Sequence, residues 1–340
     1  MSRTRLSVAA LALALAVPAA CAPPSAPAPS PGSASATTAA VAPPPPSASA
    51  SASALPSASA PAAASGSASA SATPSASASA PRPAPPGMLL VPAGTFTMGS
   101  DDLGEQDERP AHKVTLKAFW LDETEVTNAA YGECVAASVC RPNDTKSALS
   151  NKLGDDRQFR GPRQPISAIS QDDARGYCKW RDKRLPTEAE WERAARGDDD
   201  RIYPWGNTLA TKEHAVFGAG VTANVGSRPL GKGPYGHLDL AGNVWEWVED
   251  FYDPYAYRRP GADKGIPGTC EEIMATLTEL KRNKMQGFTG SNPIPDECEK
   301  VLRGGAFNYH AKGLRGSNRV HHPGRFRLVM SGFRCARDAD

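Results

Sequence analysis

The chain has 340 residues, with 38 Lys and Arg against 36 Asp and Glu and a formal net charge of +2. That balance, without a basic cluster interleaved with aromatics, gives nucleic-acid binding no support. Hydrophobic residues make up 40% of the chain, but they are so unevenly spread that residues 1–87 and 88–340 need separate readings.

Arg3 and Arg5 precede an apolar run from Leu6 to Val17. A spanning helix needs ~20 apolar residues, and this run is shorter. A basic start, a short apolar core and small residues after it predict a secretory signal over residues 1–20. Cys21 follows Val17-Pro18-Ala19-Ala20, which resembles a bacterial lipoprotein cleavage site. Lipidation at Cys21 is therefore expected, with ordinary cleavage after Ala19 as the alternative. The chain has seven cysteines. Setting Cys21 aside leaves an even number, which suits an oxidising compartment. The expected location is the cell envelope, held to a membrane by acyl chains without crossing it, or secreted if Cys21 stays unmodified.

Residues 22–87 are almost wholly Ala, Ser and Pro, with Arg82 their one charge. Such a segment cannot bury enough apolar surface to offset its ordering entropy. It is expected to be a linker spanning roughly 45 Å as a coil. The remaining residues, 88–340, suffice for one large domain with its own core.

Pro92 and Gly94 break the first apolar runs, so Leu89 to Gly99 predicts strand, turn, strand. His112 to Leu121 alternates and predicts a further strand. Glu125 to Ser138 predicts a helix. Ser170 and Asp173 predict an N-cap ahead of a helix carrying Ala174, Tyr177 and Cys178 on one face. Thr187 and Glu190 form a capping box, Trp191, Ala194 and Ala195 share a face, and Gly197 supplies a left-handed stop. Beyond Asn207, Gly, Pro and short apolar pieces predict irregular structure. Met274, Leu277 and Lys281 fall at helical spacing, with Ile273 and Leu280 beside them.

Seven blocks stand in order: Met98-Gly99-Ser100, Glu125-Val126-Thr127-Asn128, Arg184 to Glu192, Tyr203 to Asn207, Gly242 to Trp247, Arg303 to Phe307, and Gly332 to Cys335. Together they resemble the formylglycine-generating enzyme (sulfatase-modifying factor) family, from about Met88 to Arg337. The resemblance implies an α+β fold, distantly like a C-type lectin, with small sheets, helices and much irregular structure. Residues 253–299 read as a helical insertion beyond the family's usual segment, bracketed by Cys270 and Cys298.

The resemblance also implies a bridge between Cys178 and Cys335. Pairing of Cys134 with Cys140, and of Cys270 with Cys298, is expected from proximity alone, among fifteen possible pairings. The family's oxidase holds copper(I) with two cysteines after Arg-Gly-Gly-Ser. Here Tyr309 and Leu314 fall at those positions, and Ala306 falls at the serine. A phenol and an isobutyl group are not soft ligands, so copper and formylglycine formation are not expected. A different metal centre using His310 with His321 or His322 is the enzymatic alternative. A true oxidase with differently placed thiols is a third reading.

By resemblance, Asp239, the carbonyls of Gly242 and Val244, and Glu246 would bind calcium through hard oxygen ligands. The competing role for Glu246 is an ion pair, with Trp245 and Trp247 as core. Trp245 lines the substrate groove in relatives. With Phe307, Asn308, Tyr309 and His310 it is expected to form an aromatic cleft for a peptide, protein or glycan; a ligand-free surface is the alternative. The expected protein is an exported, membrane-tethered, non-catalytic binding module.

Overall fold

The structure is a computed structural model that describes residues 84–143, 156–282 and 297–339. The expected signal segment, Cys21 and nearly all of the expected linker lie outside the described residues. Among the described residues no helix is long and apolar enough to cross a membrane.

Strand β1 (Met88–Val91) pairs antiparallel with β4 (Phe119–Asp122), which pairs in turn with β9 (Ala336–Asp338). Strand β2 (Gly94–Met98) forms a separate hairpin-like pair with β3 (His112–Leu116). The single strand expected over His112 to Leu121 is therefore two. The chain changes partner after Leu116, so β3 serves β2 while β4 enters another sheet. A third sheet has the order β7-β6-β5-β8, from β5 (Trp245–Phe251), β6 (Glu299–Arg303), β7 (Arg319–Pro323) and β8 (Ser331–Gly332). Strand β7 is an edge of that sheet.

Helix α1 (Asn128–Ala136) starts at the Thr127 cap, whose hydroxyl accepts from the Ala130 N–H at 3.2 Å. The predicted start at Glu125 is too early, because Val126 and Thr127 are held extended against Ile166 and Pro165. Helices α2 (Gln171–Trp180) and α3 (Glu188–Arg196) both open with the predicted capping boxes, Ser170 with Asp173 and Thr187 with Glu190. Gly197 closes α3 at φ 63°. Helix α4 (Cys270–Arg282) lies in the segment expected to be an insertion and buries Ile273 and Leu277. Its buried face takes in Leu277 of the expected spacing and Ile273 beside it, while Met274 is half-buried.

Every residue of α3 is buried, including its charges. Glu188 accepts from Arg319 at 2.7 and 2.9 Å and from Arg303 at 2.8 Å. Glu192 accepts from Arg303 at 2.5 Å and Arg196 at 2.7 Å. Removing one partner of such a buried pair strands the other in low dielectric, so the network locks α3 against β6 and β7.

Three disulfides staple the fold: Cys178–Cys335, Cys134–Cys140 and Cys270–Cys298, with Cα–Cα distances of 5.6, 5.2 and 5.7 Å. All three expected pairings are present. Cys178–Cys335 closes 157 residues and ties α2 to the chain just before β9. In the chain-entropy model that constraint is about 5 kcal/mol, against about 2 for the six-residue closure.

Candidate functional site

The loop between Asp239 and Val244 is wound by three left-handed residues, Asp239 (φ 57°), Gly242 (φ 83°) and Asn243 (φ 60°). A side chain at Gly242 would bring its Cβ within 2.4 Å of the Val216 carbonyl oxygen, which demands glycine there. The loop is pinned by the Gly242 N–H to the Gly304 carbonyl and the Asn243 N–H to the Val216 carbonyl, both 2.8 Å.

Below this loop lies an acidic cluster. Asp239 is buried and accepts from the Gly226 N–H at 2.5 Å. Glu246 forms a forked pair with Arg334, at 2.7 and 2.8 Å, and also accepts from the Trp191 indole at 2.9 Å. Glu246 is therefore an ion-pair member, whatever else it binds. Glu125, only 2% exposed, receives no hydrogen bond from a backbone N–H or a basic side chain, and the one group its carboxyl can share a proton with is that of Asp239. Burial pushes its proton affinity well above the usual carboxylate range, and the charges of Asp239 and Glu246 push it further. Asp239 is also raised, first by burial. His237 beside them adds no positive charge, since burial and then Arg334 lower it to about 3.

Three buried carboxylates thus share Arg334, and one of them is unpaired. An unpaired buried carboxylate costs several kcal/mol unless it is protonated or meets a cation. The expected set of Asp239, Gly242, Val244 and Glu246 did not include Glu125. Only tertiary structure brings it here, from the segment just before α1. Among the described residues no group of three His, Cys, Asp or Glu side chains makes a metal site by itself. A cation here would need backbone carbonyls as well, those expected being of Gly242 and Val244. The donor set is hard oxygen throughout and fits calcium.

The copper positions do not fit their metal. Tyr309 is half-buried, while Leu314 and Ala306 are fully buried. All six cysteines among the described residues are in bridges. No thiolate among the described residues stands at the site.

The expected cleft is only partly assembled. Phe307 is fully buried and tilted against Phe159 at 5.4 Å. Trp245 is 2% exposed and meets the Tyr309 ring edge-to-face at 5.2 Å and 87°. Neither is a cleft wall, because both are claimed by the hydrophobic core. Asn308 and His310 are exposed. The real concavity, about 310 Å³, runs along the β7 edge and is lined by Tyr309, His310, Lys312, Asn318, Val320 and His322, with Glu105 opposite. Its polar rim includes a Lys312–Glu105 pair at 3.0 Å. His310 and His322 share this groove. His321 does not: it is buried on the other face of β7, hydrogen-bonded to Glu299 and stacked on Tyr252. Burial and the neighbouring His321 lower the proton affinity of His322, against the charge of Glu299. A smaller cavity of about 40 Å³ sits under residues 251–268, near Asp250 and Asp253. It is too small for anything beyond a few waters or a side-chain tip.

Comparisons with known proteins agree with this architecture. A family profile described as a sulfatase-modifying factor enzyme 1-like domain matches residues 73–339. A formylglycine-generating enzyme of Streptomyces coelicolor is 31% identical, over 75% of this chain and 90% of its own. A protein of Bos taurus named inactive C-alpha-formylglycine-generating enzyme 2 is 34% identical, over 48% and 71%. The serine/threonine-protein kinase pkn1 of Chlamydia pneumoniae is 34% identical, over 74% of this chain and 38% of its own length. The chain thus spans little more than a third of that kinase. The solved structure of PvdO from Pseudomonas aeruginosa superposes with a TM-score of 0.57 and 27% identity, covering 74% of this chain and 94% of the other. Fold, ordered motifs and family match coincide over the described domain, and the chain belongs to the sulfatase-modifying factor enzyme 1-like family.

Proposed function

We propose that this protein is an exported, lipid-tethered and non-catalytic member of the family, binding a peptide, protein or glycan in the groove along β7. One observation carries the loss of chemistry. Tyr309 and Leu314 stand where the family's thiols belong, and every described cysteine is locked in a bridge. The family already includes a relative named as inactive. Kinase activity is not carried over, since the match covers 38% of that relative. The tether rests on the sequence alone: the apolar run, Cys21 and the linker.

Calcium is the proposed resident ion, held by Glu125, Asp239 and Glu246 with the carbonyls of Gly242 and Val244. It would neutralise the Glu125 carboxylate and fix the loop that leads into Trp245. Its role here is structural.

Incubating the full-length protein with copper(I), oxygen and a sulfatase-motif peptide should leave the peptide cysteine unchanged. Conversion at enzyme-like rates would overturn the proposal. The second reading, a divergent metalloenzyme, rests on His310 and His322 sharing the groove. Metal analysis of the purified protein separates the two: calcium alone supports a binding module, while stoichiometric iron or copper supports an enzyme.

A further inference from the structure

Two turns outside the lining of the groove hold leucines out in water: Leu209 is 83% exposed and Leu230 58%. Neither turn is loose. Trp205 is stacked between Tyr203 at 4.9 Å and His214 at 4.7 Å, and its indole donates to the Thr208 carbonyl at 3.1 Å. His214 accepts from the Thr211 N–H at 3.3 Å. The stack thus braces residues 205–214, with Leu209 between its ends. Leu230 lies in the short turn Pro229–Gly231. A Cβ on Gly231 would fall 2.0 Å from the His214 carbonyl oxygen, so the two turns meet there with no room for a side chain. Pro229 and Leu230 rim a concavity of about 470 Å³ that Lys212, Ser227 and Arg228 also line, with Glu213 the one acid in its wall. The charge of Arg228 reaches Asp239, yet its guanidinium bonds only Ser227, at 3.2 and 3.5 Å, and its Nε is buried without an acceptor. Lys212 lies over the Phe217 ring at 4.0 Å and donates to the Phe217 carbonyl, with no carboxylate paired to it among the described residues.

We propose that this face docks on a membrane surface carrying anionic phospholipids. Leu209 and Leu230 enter the boundary between headgroups and acyl chains, while Arg228 and Lys212 take headgroup phosphates. Apolar insertion and attraction to anionic lipid add together in interfacial binding. A guanidinium free of carboxylates matches a phosphate with two parallel donors. Charge and reach favour a membrane over a protein partner. Arg228 and Lys212 outnumber Glu213 in the concavity, and the chain between Cys21 and the domain is expected to span roughly 45 Å as a coil. A domain tethered within that reach meets the surface at high effective concentration, so a small contact suffices. The braced turns need no ordering on docking, which removes an entropic cost. The inference rests on the lipid tether proposed above.

The test uses the full-length Cys21→Ser protein, which carries no acyl chain, with Leu230→Cys labelled by nitrobenzoxadiazole, a dye that brightens in apolar surroundings. Vesicles of phosphatidylglycerol and phosphatidylcholine in equal parts should raise its emission about twofold or more, and phosphatidylcholine alone should not. The same dye at Leu103→Cys, a site 53% exposed elsewhere on the domain, should stay dim with both. A label at Leu209→Cys gives the same report if the first variant folds poorly. With the dye at Leu230→Cys, Leu209→Ser should raise the lipid concentration at half-maximal response about tenfold, and Arg228→Ala about fivefold. No brightening at either leucine site, or equal brightening at Leu103→Cys or with phosphatidylcholine alone, overturns the docking. So does abolition of the response by inorganic phosphate at constant ionic strength, which would mark a small-anion pocket. Mass spectrometry of the exported protein tests the tether separately: a dim label together with an acylated Cys21 removes this face and leaves the tether standing.

Discussion

Two sets of buried carboxylates differ in one respect. Around α3, Glu188 and Glu192 are met by Arg303, Arg319 and Arg196. Burial works to raise the proton affinity of Glu188, but Arg319 and Arg303 outweigh it and hold it below the usual range. Around the coiled loop, Glu125 has no basic side chain bonded to it and is raised instead, by burial and then by the charges of Asp239 and Glu246. Burial is the same in both places; compensation is not. A compensated set is scaffold, complete within the chain. An uncompensated one depends on protons or a cation from solution.

Breaking the compensation should have the largest effect. Arg303→Met leaves Glu188 and Glu192 short of a partner, and urea unfolding should show a loss of about 3–5 kcal/mol. A loss under 1 kcal/mol would mean the network is not what holds α3.

Supplying the missing partner comes next. Calcium at 100 times its dissociation constant should raise stability by about 2.7 kcal/mol, read as a higher melting temperature that EGTA reverses. Glu125→Gln should abolish most of this response. If the variant responds to calcium as the native protein does, Glu125 is not a ligand.

The two sets should also respond oppositely to pH. The folded-state value of Glu125 lies above its unfolded one. Its stabilising contribution is full below the unfolded value and is lost as pH rises through the folded one. Asp250, raised to about 8 by burial and then by Glu188, acts in the same direction. Glu188, held low, contributes above its unfolded value and loses that contribution on acidification. With EGTA present, the native protein should therefore lose stability as pH rises from the ordinary carboxylate range towards about 8, the folded-state value of Asp250. Glu125→Gln should flatten that slope in part, leaving the share of Asp250. A slope of the opposite sign in thermal melts would contradict the assignment.

The smallest effect belongs to a partly exposed pair. Arg184 is forked to Glu190 at 2.7 Å and also reaches Asp338 at 2.5 Å, with 37% of its side chain exposed. Arg184→Ala should cost no more than about 1 kcal/mol.

Local chemistry was legible in the sequence where it is decided locally. Thr187 with Glu190 and Ser170 with Asp173 form the boxes their spacing predicts, because a cap involves only neighbours in the chain. The three bridges follow from family position and proximity. The cleft was misread where the outcome depends on distant segments. Trp245 and Phe307 are large and apolar, and nothing in their spacing says that Tyr309 and Phe159 cover them. Glu125 reads as the first turn of a helix, whereas the chain there is extended and delivers its carboxylate to Asp239 and Glu246 more than a hundred residues away.

The account rests most heavily on sulfur being structural here. Unreduced full-length protein, denatured and alkylated, should yield peptides joined as Cys134–Cys140, Cys178–Cys335 and Cys270–Cys298, with no label on those six residues. Stoichiometric alkylation of any two of them in the native domain would contradict it.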